Sequence, residues 1–179
     1  MAPVAAVSPI VLMNAVELSA QIRGKQISCL EVMQAYLGHI DRYNPVFNAI
    51  VSLADRETLL SSAIASDADI GKGQYKGWMH GFPHAVKDLA FTKGIRTTLG
   101  SPLFETFVPT FDAIFVERLR SAGAIIIGKT NTPEFGLGSQ TYNTIFGTTK
   151  NAYDPSKTAG GSSGGGGICR VGSSYAAGC

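Results

Sequence analysis

The residues most suited to chemistry lie in the run TAGGSSGGGG at Thr158–Gly167, which holds six glycines and two adjacent serines. Glycine loses the most conformational freedom on folding, so such a run is unfavourable inside an ordinary helix or strand. It is typical of places where the backbone must approach another group closely. The two hydroxyls indicate chemistry on a carbonyl or a phosphate. Composition alone equally permits a flexible linker rich in glycine and serine.

A second candidate is Lys87, which stands beside Asp88 in the otherwise apolar stretch FPHAVKDLAF at Phe82–Phe91. The pattern predicts a strand that ends in a turn. A lysine in such a stretch is costly to bury unless it is paired or neutral. From this stretch alone we favour an edge strand with Lys87 in water. The alternative is a lysine held near neutrality that acts as a base.

A phosphate-binding loop is a weaker interpretation of the glycine run. A P-loop ends in Gly-Lys-Ser/Thr, and Gly165–Ile168 does not supply that ending. The net charge of +2 is too small to indicate a nucleic acid or an acidic membrane as partner. No apolar run is long enough to span a bilayer.

Three cysteines, with two of them in the last eleven residues, do not form a disulfide framework and favour a reducing compartment. The first 13 residues are apolar but lack a basic region, so no signal peptide is expected and the predicted location is cytoplasmic. The histidines are scattered, and neither a metal nor a cofactor is implied.

The elements that must position these residues begin with two helices. Asn14 with Glu17 predicts a helix that ends near Gly24, and Ser28 with Glu31 predicts a second, which Asn44-Pro45 would stop. The second helix has a stripe with helical spacing, and we expect it to be buried: Leu30, Met33, Tyr36, Leu37 and Ile40. His39, next to this stripe, is expected on the surface.

Alternating helix and strand patterns follow, and they indicate the α/β class. The predicted elements are a strand at Phe47–Leu53, a helix at Asp55–Asp69, a helix at Asp112–Ser121 and a strand buried on both faces at Ala124–Lys129. The residues expected to face inward are Leu59, Leu60 and Ile64 in the first of these helices and Ile114, Phe115 and Leu119 in the second. Trp78 and His80 are expected to pack over the core edge rather than touch a ligand. A binding loop is predicted at Thr130–Phe135, and a long irregular segment at Gly136–Asp154.

Four blocks of the chain resemble the amidase signature family, and they occur in that family's order. They are GFPHAVKD at Gly81–Asp88, GKTNTPEF at Gly128–Phe135, FGTTKN at Phe146–Asn151 and GGSSGG at Gly160–Gly165. The resemblance covers roughly residues 12–165. It implies the amidase signature α/β/α fold with a mixed central sheet, incomplete here, and hydrolysis of a carbon–nitrogen amide bond by a Ser–cis-Ser–Lys triad.

The same resemblance assigns roles by motif. Lys87 matches the catalytic lysine, and Ser162 matches the bridging cis-serine, which would relay a proton between the nucleophile and Lys87. The loop at Glu134–Ser139 matches a segment that lines the substrate pocket, and Gly136 and Ser163 are expected to contact substrate. The substrate class is a small-molecule amide of unspecified identity, and no oligomeric state is predicted. Ser–Lys arrangements are a recognised variant of the serine triad.

The resemblance stops before the family's nucleophile, a serine in a later block of the type Gly-x-Asp-x-Gly-Gly-Ser, whose glycines also form the oxyanion hole. We divide the chain into an extension at 1–12, the N-terminal part of an amidase domain at 13–165 and a divergent tail at 166–179. The hypothesis for this tail is a shifted reading frame. The alternative for the whole chain is a truncated, non-catalytic fragment or interaction module that keeps the fold, with an uncovered strand edge and poor solubility.

Overall fold

The computed structural model describes residues 7–171, and it has five helices and five strands. The helices are α1 (Ala15–Arg23), α2 (Cys29–Phe47), α3 (Arg56–Gly71), α4 (Ile114–Ser121) and α5 (Gly164–Val171). The strands are β1 (Ile50–Leu53), β2 (Pro83–Lys87), β3 (Ile125–Thr130), β4 (Tyr142–Asn143) and β5 (Gly147–Thr148). Short 3-10 helices lie at Pro9–Leu12, Pro102–Phe104 and Glu134–Gly136. The predictions for residues 1–6 and 172–179 lie outside the described residues.

A mixed three-stranded sheet with the order β1-β3-β2 forms the centre of the fold. β3 is antiparallel to β1 and parallel to β2, and Lys87 of β2 pairs with Thr130 of β3. All six residues of β3 are buried, as the continuous apolar run predicts. The predicted α/β class with a mixed sheet is therefore confirmed. The central position of β3 fixes β2, the strand that ends at Lys87.

The helix starts follow the predicted caps, but α2 does not end at Pro45. The side chains of Asn14 and Ser28 accept hydrogen bonds from the amides of Glu17 and Glu31, respectively. α2 continues through Pro45 to Phe47. The side-chain oxygen of Asn44 accepts from the amides of Ala49 and Ile50, at 2.9 and 2.8 Å, so contacts with the start of β1 hold the last turn. The predicted strand at Phe47–Leu53 is accordingly shortened to β1.

α2 and α3 pack together and on the sheet, and the predicted stripe of α2 lies in the core, with Leu30 half-buried at its edge. Two predictions for these helices are wrong. His39 is buried and packs on the ring of Tyr43, with 4.5 Å between the ring centroids. Ile64 of α3 is 54% exposed, whereas Leu59 is buried.

α4 turns a different side to the core from the one predicted. Val116 is fully buried and Leu119 is half-buried, but Ile114 and Phe115 are exposed. The amide of Ala113, the residue before α4, donates to the carbonyl of Phe91, which attaches the start of this helix to the loop after β2. This attachment sets the rotation of a helix only eight residues long.

The segment at Gly136–Asp154 is less irregular than predicted. β4 and β5 form an antiparallel hairpin, and isolated bridges join Gln140 to Gly160 and Lys150 to Thr158. Thr158 and Gly160, at the start of the glycine/serine run, are therefore held by backbone pairing with the segment at 140–150.

Candidate active site

Lys87 and the two serines of the glycine/serine run meet at one point. The Nζ of Lys87 donates to the Oγ of Ser162 at 2.7 Å and to the Oγ of Ser163 at 2.9 Å. These groups come from the end of β2 and from the residues just before α5, 75 and 76 positions apart in the chain. Lys87 and Ser162, which the family resemblance assigns to one proton path, are therefore direct neighbours. As predicted, Lys87 lies on an edge strand of the described sheet. Its ammonium group, however, is hydrogen-bonded to the hydroxyls of Ser162 and Ser163.

The backbone at Ser162 has a special geometry, because the Gly161–Ser162 peptide bond is cis. The Gly161 amide donates to the carbonyl of Ser139 at 2.7 Å, and the hydroxyl of Thr132 donates to the carbonyl of Ser162 at 3.3 Å. A Cβ on Gly161 would come within 2.8 Å of the Gln140 amide nitrogen. Only glycine fits this approach, and the approach places the Ser162 hydroxyl opposite Lys87.

α5 starts directly after the two serines, and its first turn packs closely against the end of β3. Thr141 holds its start, since the Oγ1 of Thr141 accepts from the Gly164 amide at 2.9 Å and donates to the Gly160 carbonyl at 3.1 Å. A Cβ on Gly165 would lie 2.5 Å from the backbone nitrogen of Asn131. The glycines of the run therefore allow the helix to touch the end of β3. The composition-based alternative, a flexible linker, is excluded for Gly160–Gly167.

A network of buried amides supports this part of the site, and it was not among the predicted features. Asn131 is fully buried after β3, and its side-chain nitrogen donates to the hydroxyl of Thr149 at 3.0 Å. Its side-chain oxygen accepts from Asn143 at 2.7 Å. Asn143 also donates to the Thr132 carbonyl at 2.8 Å. In the sequence, Asn131 falls in the predicted binding loop at Thr130–Phe135, whereas Asn143 and Thr149 fall in the segment predicted to be irregular.

Burial sets the electrostatics at Lys87. Partial removal from water lowers the pKa of Lys87 from its ordinary value of 10.5, because the uncharged amine loses less hydration than the ammonium. A larger fraction of Lys87 is therefore neutral near pH 8 than of an exposed lysine. A neutral amine within hydrogen-bond reach of a hydroxyl is a competent proton acceptor.

Two cavities flank Lys87. One, of about 870 Å³, runs along β2 and has Lys87 and Ser163 in its wall. The other, of about 420 Å³, is formed by Lys87 and five apolar residues: Leu89, Ala90, Phe91, Ala113 and Phe115. Trp78 borders the first cavity and packs edge-to-face on the buried Phe82, with 6.1 Å between the ring centroids, although 59% of its surface is exposed. His80 also packs: it is 1% exposed, and its Nε2 lies 2.9 Å from the Ser66 carbonyl.

Gly136 lies close to this site, although it is not in the wall of either cavity. It ends a 3-10 helix with a φ of +73°, and a Cβ there would meet the Cδ1 of Leu89 at 2.6 Å. Leu89 is part of the smaller cavity. The contact of Gly136 with substrate stays a prediction, as do the roles of Lys87, Ser162 and Ser163.

The family model described as Amidase matches residues 31–176, which is most of the chain. The chain belongs to the amidase family. This amidase chain is 41% identical over 158 residues to a glutamyl-tRNA(Gln) amidotransferase subunit of Acidothermus cellulolyticus, a match that covers 88% of the chain and 31% of that protein. It is 44% identical over 152 residues to the subunit of the same name in Lachnospira eligens, covering 85% and 31%.

Solved structures agree with this assignment. A bacterial aryl acylamidase of the amidase signature family superposes with a TM-score of 0.83 at 30% identity, covering 92% of the amidase chain and 34% of that structure. The chain thus spans about a third of the length of the curated relatives and structures that it matches. Within residues 7–171, no helix has both the length and the apolar character needed to cross a membrane.

Proposed function

We propose that this chain carries the lysine and bridging-serine part of an amide-hydrolysing centre. The observation that carries the proposal is the 2.7 Å contact between the Nζ of Lys87 and the Oγ of Ser162. Family membership supports the reaction class, and the residue types suit attack on an unactivated amide.

In the proposed mechanism, Lys87 acts as the base in its neutral form. The Ser162 hydroxyl gives its proton to Lys87 and takes one from the attacking serine hydroxyl, which then adds to the amide carbonyl. Collapse of the tetrahedral intermediate expels the amine, which receives the proton back through Ser162. Water then cleaves the acyl-enzyme by the same proton path.

The attacking serine and the oxyanion-hole amides come, in this proposal, from the later glycine-rich block that the family resemblance implies. Ser163 stands beside Ser162 at 2.9 Å from the Nζ of Lys87 and faces the larger cavity, which suits a substrate contact. The apolar wall of the smaller cavity suits an apolar part of a small-molecule amide.

The test starts with the genomic and transcript sequence downstream of codon 160, followed by expression of the complete reading frame. Hydrolysis is then measured on a panel of anilides and primary amides. We expect turnover, and a loss of about 10²–10⁴-fold in kcat for Lys87→Ala and for Ser162→Ala, the range typical of general-base catalysis. The matched control is Lys93→Ala, because Lys93 is exposed.

Three results would contradict the proposal. One is a complete protein that folds but hydrolyses none of the amides. Another is an active protein whose turnover survives Lys87→Ala. The third is a reading frame that contains no later serine block, which would favour the non-catalytic alternative.

A further inference from the structure

Two charged side chains next to Lys87 are completely buried and have no part in the proton path. Asp88 and Lys129 each have 0% of their surface exposed. A buried charge is unfavourable unless hydrogen bonds or an opposite charge compensate it. The hydrogen-bond partners of these two side chains therefore indicate which part of the structure each of them holds in place.

Lys129 holds the turn that follows Lys87. From β3, its Nζ donates to the carbonyl of Ala90 and, at 2.7 Å, to the Oγ1 of Thr92. The Ala90 amide in turn donates to the Lys87 carbonyl at 3.0 Å. The ammonium group of Lys129 thus closes the turn onto the backbone of Lys87.

Asp88 ties the same turn to the loop at 94–101. Its carboxylate accepts from the Thr98 amide at 3.1 and 3.2 Å and from the Thr98 hydroxyl at 2.5 Å. The next residue, Leu99, accepts at its carbonyl from the Phe135 amide at 2.7 Å. Through Thr98 and Leu99, Asp88 is connected to the 3-10 helix at Glu134–Gly136, within the segment expected to line the substrate pocket.

We propose that Lys129 and Asp88 are positioning residues, which hold Lys87 against Ser162 and keep the 134–136 turn in register with it. This inference rests on the proposed function, because the orientation of Lys87 matters only if Lys87 acts as the base. Burial lowers the pKa of Lys129 from 10.5 to about 8, whereas the charges of Asp88 and Asp112 favour its ammonium form. Neither Lys129 nor Asp88 reaches the substrate side, and both act through the backbone.

The test measures the pKa of Lys87 in the chain itself, from the pH dependence of its acetylation followed by mass spectrometry. Lys129→Met removes the ammonium and keeps most of the side-chain volume, and Lys93→Met is the control at an exposed lysine. With the turn released, Lys87 becomes better hydrated. We expect its pKa to rise and its acetylation rate near pH 8 to fall about threefold.

Thr92→Val provides the second variant, since it keeps the charge of Lys129 and removes one of its two acceptors. The same rise, smaller in size, is expected there. If Lys129→Met does not fold, the Thr92→Val result decides the question. Folded variants in which the pKa of Lys87 stays at the parent value overturn the proposal. Because the readout needs no turnover, a shift in this pKa combined with a complete protein that folds but hydrolyses no amide would refute the proposed function and leave the positioning role standing.

Discussion

Two glycines of α5, Gly165 and Gly167, are expected to respond in opposite ways to substitution by alanine. A Cβ on Gly165 would lie 2.5 Å from the Asn131 nitrogen and 2.7 Å from the Ala49 carbonyl oxygen. Both are backbone atoms at the sheet, so they cannot rotate away. Ordinary contact begins near 3.4 Å, and the start of α5 must therefore recede by about 0.9 Å. A Cβ on Gly167 would meet nothing within 4 Å.

The two substitutions share the same gain in helix propensity, about 0.5–1 kcal/mol in favour of alanine. In Gly165→Ala, overpacking costs about 1–3 kcal/mol and exceeds that gain. We expect a net destabilisation of about 1–2 kcal/mol and a melting temperature lower by roughly 2–8 °C. Gly167→Ala should melt roughly 1–4 °C above the parent chain.

The displacement also reaches the candidate site, because Ser162 lies three residues before Gly165. Moving Ser162 by about 0.9 Å lengthens its 2.7 Å contact with Lys87 to about 3.6 Å, which is no longer a hydrogen bond. Thermal unfolding by circular dichroism, combined with acetylation of Lys87, measures both effects. A Gly165→Ala chain that melts at or above the parent temperature, with unchanged reactivity of Lys87, would refute the reasoning.

Three further outcomes are expected. Lys87, whose pKa burial lowers, should be acetylated faster than exposed Lys93 at pH 8–9, and equal rates by mass spectrometry would contradict this. Thr141→Val removes the hydroxyl that bonds two backbone groups of the glycine/serine run and should lower the free energy of unfolding by about 1–3 kcal/mol, whereas Thr110→Val at an exposed position should not. Burial lowers the pKa of Lys129 from 10.5 to about 8, so between pH 8 and pH 10.5 the unfolded chain binds more protons than the folded chain. The free energy of unfolding, measured by urea titration, should therefore rise with pH in that window, and it should rise less in Lys129→Met.

The local signals in the sequence predicted the elements well where neighbouring residues determine them. The caps at Asn14 and Ser28 are local hydrogen bonds, and both form as predicted. The prediction at Pro45 was wrong because contacts between Asn44 and the following strand, which are not visible in helix propensities, hold the last turn of α2. The burial predictions for His39 and Ile64 were wrong for a similar reason, since the tertiary packing of α2 and α3 decides which side of each helix is covered.

The sequence predicted which residues form the candidate site, but it predicted only part of the structure around them. The motif blocks predicted that Lys87 and Ser162 would meet, and they are hydrogen-bonded. The full burial of Asn131 was not predicted, because polar residues near glycine-rich segments usually lie in exposed loops. Lys129 was placed in a buried strand, but the partners of its ammonium group were not predicted. Only the three-dimensional structure shows that their side chains bond backbone groups from distant segments.

The separation of 75 residues between Lys87 and Ser162 also sets an order of events during synthesis of the chain. At about 5–20 residues per second, the ribosome adds the serine roughly 4–15 s after the lysine. In this interval β2 can pair with β3 once Thr130 has been made, but the lysine has neither of its hydroxyl partners. The contact between Lys87 and Ser162 therefore forms only when the glycine/serine run emerges, after the three strands of the central sheet have been made.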